Sequence, residues 1–199
     1  MFIVALNGSP KQDGNTANLL RLIIEEAGQK GANTEIIHVH NLVVEQKDPF
    51  CRACASPCPG TCYKDTPLYS AYETLQRADA LVLGSPVYFG TVSAQLKSFW
   101  DKTRKLRSEK ALINTVGGAV SCGAARFGGQ ETTLKALYDM MVIQGMIVVG
   151  DGHFEADAGH HGVCAQQPST EDSFAHKRAS ILAQRLVEVA QATTSLRSR

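Results

Sequence analysis

Apolar positions along the chain alternate between short β-branched runs and longer segments with the 3.6-residue period of a helix. The first helical segment follows the first apolar run and places Leu19, Leu20 and Ile23 on one face. The pattern predicts five strands, at residues 2–7, 36–40, 80–84, 111–116 and 146–149. It predicts five helices, at residues 16–30, 67–77, 93–106, 130–144 and 170–192. Because the strands are apolar almost throughout and alternate with helices, we expect an α/β protein with a parallel sheet covered on both faces.

Two predicted connections are much longer than a turn. The first, at about residues 41–66, holds four of the six cysteines and several prolines, and the second, at about 150–169, is rich in glycine and histidine. Loops of this length inside compact domains are usually functional or disordered. We therefore expect a single domain over residues 1–192 with a cysteine-rich insert at about 41–66, followed by a flexible tail at 193–199.

Composition and charge exclude several classes of protein. The chain has 199 residues, which is typical of one domain. Its 20 Lys and Arg against 19 Asp and Glu provide no broad basic field for a nucleic-acid backbone. Apolar runs stay short of the roughly 18 residues of a membrane span, and the first residues do not resemble a signal peptide. We expect a cytoplasmic protein that binds neither nucleic acid nor membrane.

The loop after the first predicted strand has the features of an anion site. Gly8-Ser9-Pro10-Lys11 and Gly14-Asn15-Thr16 directly precede a helix, whose free N–H groups and dipole suit a phosphate. The spacing excludes a Walker A loop, since Asn15 stands where that motif needs lysine, and the dinucleotide fingerprint is absent. The loop is consistent with the phosphate of a smaller ligand such as a mononucleotide. Alternatively, Asn15 or Thr16 merely caps the helix.

Motifs in three loops together carry a resemblance to a known family. Besides the first loop, residues 84–97 read Gly-Ser-Pro-Val-Tyr-Phe-Gly-Thr-Val-Ser-Ala-Gln-Leu-Lys, and this pair is similar to the flavodoxin-like NAD(P)H-dependent FMN reductases. Residues 126–133, Arg-Phe-Gly-Gly-Gln-Glu-Thr-Thr, with residues 145–150, resemble the iron-sulfur flavoprotein branch of that superfamily. The similarity runs from residue 2 to about 165. It implies a flavodoxin-like three-layer sandwich with a five-stranded parallel sheet in the order 2-1-3-4-5.

The resemblance also implies where FMN lies. It places the phosphate on Ser9, Lys11, Asn15 and Thr16. It places the isoalloxazine ring against Pro86, Val87, Tyr88, Phe89 and Gly90, and at a third loop made of Thr115, Val116, Gly117 and Gly118. Loop N–H groups near N1 and the C2 carbonyl would stabilise the negative charge of a reduced flavin. Arg126 is expected either to contact the flavin or a partner, or to be a solvated loop residue.

The cysteine cluster comprises Cys51, Cys54, Cys58 and Cys62. By resemblance, a [4Fe-4S] cluster that exchanges electrons with FMN is bound here, and four thiolates match its ligand count. The spacing departs from the family run, which has two residues between its second and third cysteines and a longer gap before the fourth, whereas both gaps here are three. Structural zinc and free or redox-active thiols are the alternatives. Cys122 and Cys164 are expected to be buried as small hydrophobes, with Cys164 a reserve ligand.

Three functions are consistent with these features. The first is an electron-transfer flavoprotein, in which the cluster takes single electrons from a ferredoxin-like donor and FMN delivers them to a small-molecule acceptor, without a catalytic side chain. The second is an NAD(P)H-dependent reductase of flavin, quinone or azo compounds that has no cluster. The third is a zinc-stapled binding module without redox turnover. The resemblance implies a homodimer or homotetramer, and it places His160 and His161 near the flavin or a subunit interface, where they could gate access.

Overall fold

A computed structural model describes residues 1–197 of the protein. Its strands are β1 (Phe2–Asn7), β2 (Asn33–His38), β3 (Ala80–Pro86), β4 (Val116–Gly123), β5 (Ile147–Val148) and β6 (Val163–Gln166). All their pairings are parallel, in the order β2-β1-β3-β4-β5, and β6 also pairs with β4. The predicted flavodoxin-like α/β fold and its strand order are confirmed, with β6 as an additional strand.

Helices cover both faces of this sheet. They are α1 (Asn15–Gln29), α2 (Val39–Val44), α3 (Pro67–Arg77), α4 (Ala94–Asp101), α5 (Arg104–Ser108), α6 (Gln130–Val142) and α7 (Ser173–Ala192). The apolar faces of α1 and α7 pack on one side, and residues of α2 to α6 pack on the other. None of the helices in residues 1–197 has the length and apolarity needed to cross a membrane.

Strand β1 shows how the sequence pattern produces the two cores. Ile3 and Ala5 point into the core beneath α1 and α7, whereas Val4 and Leu6 point into the opposite core. All four side chains are fully buried. Alternation with a period of two therefore places apolar groups on both faces, and burying a large one contributes about 1.5–3 kcal/mol.

The prediction for the fourth strand is wrong. Residues 111–115 lie in turns, and β4 begins at Val116 and continues to Gly123. Gly117 and Gly118, which look like a loop in the sequence, lie inside this strand. A Cβ at Gly117 would collide with the Met141 sulfur, and one at Gly118 would press on Leu182. Glycine is needed here because α6 and α7 approach the sheet closely.

The last strand is split in two. Val116 and Gly117 of β4 pair with β5, and residues 120–123 of β4 pair with β6, so β5 and β6 lie end to end along one side of β4. Residues 149–162 form an insertion between them. The predicted helix at 93–106 is similarly divided into α4 and α5, because the chain turns at Lys102 and Thr103.

The cysteine-rich connection begins later than the predicted 41–66, because α2 occupies Val39–Val44. Residues 45–66 form a long connection after α2, with a single 3₁₀ turn at Thr61–Tyr63. After α7, a further 3₁₀ turn spans Thr194–Leu196. The last two residues of the predicted flexible tail, 198 and 199, lie outside the described part of the chain.

Candidate functional site

Three loops meet at the carboxyl edge of the sheet, where parallel α/β proteins bind their ligands. The N–H of Gly8, after β1, donates to the carbonyl of Gly84 in β3 over 2.8 Å. The Thr132 hydroxyl, at the start of α6, donates to the Gly90 carbonyl after β3, also over 2.8 Å. The loops after β1, β3 and β4 therefore form one connected cleft.

Asn7, the last residue of β1, organises the first loop and was not singled out from the sequence. Its side chain is fully buried, accepts a hydrogen bond from the Ser9 N–H and donates to the Lys11 carbonyl. Its amide also donates to Nδ1 of His38, a ring whose pKa is lowered by burial and then by Arg21. The available signal was an amide side chain at the end of an apolar strand, a position where burial requires polar partners.

The four predicted phosphate residues lie together around the start of α1. Ser9 is buried, and its hydroxyl accepts from the Lys11 N–H, whereas the Lys11 side chain is exposed. Gly14 is the residue preceding the helix and makes no side-chain cap, so neither Asn15 nor Thr16 caps α1. The first N–H groups of α1 therefore remain available to an anion.

Asn15 connects the start of α1 to the segment that precedes α7. Its side-chain oxygen accepts from the Ser169 N–H over 2.8 Å, and its carbonyl accepts from the Ser169 hydroxyl. Thr16 is buried, with its methyl group beside Gly84. These contacts join the start of α1 to the segment around Ser169 and to β3.

The second loop is a tight hairpin turn. Tyr88 and Thr91 exchange two backbone hydrogen bonds, and Phe89 and Gly90 between them both have positive φ, at 51° and 79°. Phe89 is fully exposed and Tyr88 is 42% exposed. The segment predicted to contact the flavin ring, Pro86 to Gly90, thus presents apolar and aromatic surface at the edge of the cleft.

Ser93 ties this loop to the first one. It caps α4 by accepting from the Leu96 N–H, and its hydroxyl donates to the Gly8 carbonyl over 2.6 Å. Its own N–H donates to the Ser85 hydroxyl. Because Ser93 is fully buried, these bonds hold the start of α4 rigidly against the cleft.

The third loop is Ala124 to Gly129, after β4. The buried Gln130 side chain holds it by accepting from the Gly128 N–H and donating to the Ala125 carbonyl. Arg126 lies 5.6 Å from the centre of the Phe127 ring, and Phe127 is 93% exposed. Arg126 also lines a cavity of about 570 Å³ between this loop, the end of β6 and the start of α7.

Thr115, Val116, Gly117 and Gly118 do not belong to this cleft. They lie at the amino end of β4, where Val116 pairs with Ala80 at the start of β3. Thr115 and Val116 are fully buried. Placing the third flavin loop at these residues is therefore a mistake that results from the wrong strand boundary, and the loop at the carboxyl end of β4 carries Arg126 and Phe127 instead.

The four clustered cysteines line one cavity of about 300 Å³. Cys51 and Cys58 are partly buried, Cys54 and Cys62 are exposed, and all four are free thiols. Among residues 1–197, no three His, Cys, Asp or Glu side chains are grouped to hold a single metal ion. The structure thus brings the four predicted ligands to one cavity, and the choice between a [4Fe-4S] cluster and zinc rests on other observations.

Two buried polar groups adjoin these sulfurs. Lys102 is 3% exposed, and its ammonium donates to the Cys62 sulfur over 3.9 Å. Within the described residues, no carboxylate forms an ion pair with it. The Tyr63 hydroxyl is buried without a hydrogen-bond partner, and its pKa is raised by burial and then by Cys58 and Cys62. Lys102 thus places a buried cation in the wall of the cavity, which suits an anionic sulfur-ligated group.

The remaining cysteines and histidines lie elsewhere. Cys122 is buried in β4, and Cys164 is partly buried in β6. Burial raises the pKa of Cys122 to about 11 and that of Cys164 to about 12. His160 lies edge-on to Phe174, with 6.2 Å between the ring centres. His153 pairs with Glu188 over 2.9 Å. His153 and His160 therefore each contact a side chain of α7.

The sheet order and the layers of helices define a flavodoxin-like fold, with three loops meeting at its carboxyl edge. The chain matches the NADPH-dependent FMN reductase family over residues 1–161 and belongs to that family. It is therefore an FMN-dependent oxidoreductase.

Individual relatives agree with this assignment. The chain is 40% identical over 165 residues to an iron-sulfur flavoprotein of Methanocaldococcus jannaschii, covering 82% of this chain and 83% of the relative. It is 35% identical to an iron-sulfur flavoprotein of Methanosarcina thermophila, covering 95% of both chains. Among solved structures, the WrbA-like flavodoxin of Agrobacterium tumefaciens superposes with a TM-score of 0.69 at 20% identity, covering 96% of this chain and 97% of that one.

Proposed function

We propose that this oxidoreductase holds a [4Fe-4S] cluster on Cys51, Cys54, Cys58 and Cys62 and passes electrons from a one-electron donor through FMN to a small acceptor. Relatives named iron-sulfur flavoproteins support this assignment. A ferredoxin-like donor and a homo-oligomeric assembly are part of the same proposal. When bound, the cluster supplies one-electron transfer, and the FMN exchanges one or two electrons with small molecules.

The observation that carries the proposal is the buried ammonium of Lys102. A buried cation is costly unless an anion lies beside it, and the nearest partner of Lys102 is a cysteine sulfur. Four neutral thiols would leave this charge uncompensated. Four thiolates around iron carry net negative charge, so Lys102 is correctly placed to balance them.

The chain's own residues divide the remaining work. The start of α1 and Lys11 bind the FMN phosphate, and the hairpin after β3 and the loop carrying Arg126 border the ring. The buried ammonium of Lys102, 3.9 Å from the Cys62 sulfur, would stabilise negative charge on the sulfurs. Hydrogen bonds to the sulfurs and a nearby cation both favour the reduced, more negative state of an iron-sulfur site.

Helix α4 connects the two sites. Ser93 at its start is bonded to the first loop, and Lys102 directly after its end faces the cysteine cavity. A helix of 8 residues is roughly 12 Å long at 1.5 Å per residue. The flavin cleft and the cysteine cavity of one chain are therefore held at opposite ends of a short rigid element.

Anaerobic purification with iron, sulfide and FMN quantified together tests the proposal. We expect about four irons and four sulfides for each FMN. Zinc in place of iron, or no iron after anaerobic reconstitution while FMN is retained, contradicts it.

A second test uses Lys102 directly. In the iron-loaded protein, Lys102→Met should lower the reduction potential of the iron centre by about 60 mV or more, a tenfold change in equilibrium for one electron. Lys97→Met is the matched control, because Lys97 lies on the same helix but pairs with Asp101 at the surface. Equal potentials in the two variants would show that Lys102 does not balance the charge of the centre.

A further inference from the structure

A second cavity adjoins the cysteine cavity. It measures about 620 Å³ and lies between the cysteine loop, α5 and the end of α6. Cys58 and Arg104 line both cavities. The surface around the second cavity is therefore continuous with the wall that holds the sulfurs.

The charge on this surface has one sign. Arg104, Arg107 and Lys110 line the second cavity together with no carboxylate, and all three are exposed. In the part of the chain that the structure describes, none of the three forms an ion pair. The cysteine cavity adds Arg52 and Lys102 against the single carboxylate of Asp48. A chain with a net charge of +1 thus places five cations around its cysteine site, of which Arg52 is paired with Asp48.

The same surface carries exposed apolar side chains. Ile113, Val142 and Ile143 are 42%, 56% and 59% exposed, and all three line the second cavity. Isolated exposed apolar residues are normal, but a contiguous group bordered by charge is typical of a protein interaction site. We call Arg104, Arg107, Lys110 and these three apolar residues the basic face.

We propose that the basic face is the docking surface for an acidic one-electron carrier protein. This inference rests on the proposed function, because it identifies where the carrier meets the cysteine site. One electron leaves the carrier, which is oxidised by one electron, and the iron site at the cysteines is reduced by one electron, with no bond formed or broken. The cations steer the carrier to this side of the molecule, and the apolar residues make close contact.

Binding of a small acidic [4Fe-4S] ferredoxin in its oxidised form, measured by calorimetry, tests the inference. The test variant, with Arg107→Glu and Lys110→Glu, is expected to bind at least tenfold more weakly than the unchanged protein, and its affinity should depend less steeply on salt. The control variant carries Lys30→Glu and Lys177→Glu, exposed positions on the side of the sheet covered by α1 and α7. Both variants change the net charge equally, so the control should bind like the unchanged protein.

Two further measurements separate the possible failures. Reduction by dithionite, which needs no docking protein, should proceed equally in both variants if the iron centre is intact. Equal ferredoxin affinity in test and control variants overturns the docking inference and leaves the proposed function untouched. A protein that never holds iron overturns the proposed function. Dissociation of an oligomer by the test variant alone, seen by sedimentation, would assign the face to a second copy of the chain and also overturn the docking inference.

Discussion

Two long insertions interrupt this fold, and they are held in opposite ways. The histidine insertion is residues 149–162, between β5 and β6, and the cysteine insertion is residues 45–66, between α2 and α3. In the first, the chain supplies a buried cation, Arg178, together with the buried Asp151 and the exposed Asp157. In the second, the buried cation is Lys102, and among residues 1–197 no carboxylate forms an ion pair with it.

The histidine insertion is centred on Arg178 of α7. This side chain is 2% exposed and pairs with Asp151, which is fully buried, and with both oxygens of Asp157. Asp151 also accepts from the His160 N–H, and Asp157 accepts from the Gly159 N–H. The hydrogen bond to Arg178 is the main reason that the pKa of Asp157 is lowered. The charge of Arg178 is therefore balanced by carboxylates of the insertion itself.

The cysteine insertion has fewer internal ties. The Ser98 hydroxyl donates to the Pro49 carbonyl, and Arg104 reaches the Ala55 carbonyl only at 3.5 Å. Lys102 faces Cys62, and within residues 1–197 the Tyr63 hydroxyl has no hydrogen-bond partner. Under the proposed function, the histidine insertion is completed by folding and the cysteine insertion by the group that it would bind.

The largest expected effect is at Arg178. Arg178→Met leaves the buried carboxylate of Asp151 without its cation, so we expect a loss of about 3–5 kcal/mol in the free energy of unfolding. Urea unfolding measures it. Arg185→Met, at an exposed position of the same helix, should change stability by about 0.5 kcal/mol or less. Equal losses in the two variants would show that the ion pairs do not hold the histidine insertion.

A smaller effect is expected when the cysteine insertion loses its metal. Cys54→Ser should remove the iron absorbance, retain FMN and raise amide exchange in residues 45–66 by about tenfold or more, because local opening becomes easier. Amide exchange in residues 149–162 should not change. Cys164→Ser is the matched control and should retain iron. Unchanged amide exchange at residues 45–66 in the iron-free variant would mean that the cysteine insertion keeps its structure without metal.

The smallest expected effect is the pH dependence of stability that arises from Cys122 in β4 and Cys164 in β6. Their raised pKa values mean that, above about pH 9, the unfolded chain loses thiol protons that the folded chain keeps. The free energy of unfolding should therefore fall as the pH rises from 9 toward 11, and Cys122→Ser should reduce the slope. Alkylation at pH 8 of iron-free protein should modify the exposed Cys54 and Cys62 before Cys122. Rapid modification of Cys122 would contradict the burial argument.

The sequence predicted those helices and strands whose apolar residues recur with the period of the element that they form. Strand β1 and helix α3 have the predicted bounds, because each is bounded by clear turn or cap residues. Gly117 and Gly118 misled the prediction, because glycine chosen for close helix packing looks the same in a sequence as glycine chosen for a turn. Strand β6 was missed because four residues carry too little periodicity.

For the site, motifs located the loops but not their supporting contacts. Ser9, Asn15, Tyr88 and the four cysteines could be named because they stand in recognisable strings. The roles of Asn7 and Lys102 depend on burial beside partners 31 and 40 residues away along the chain, and no local pattern encodes that. The clustering of cations around the cysteines is likewise hidden in a balanced net charge.

The fixed length of α4 also explains what can vary in a chain like this one. Adding one residue to a helix lengthens it by about 1.5 Å and rotates the residues beyond the addition by about 100°, which would swing Lys102 away from the sulfurs. Residues added between the cysteines only lengthen a loop, at a cost that grows slowly with its length. A one-residue insertion between two of the cysteines should therefore disturb the contact between Lys102 and the sulfurs less than a one-residue insertion in α4 does.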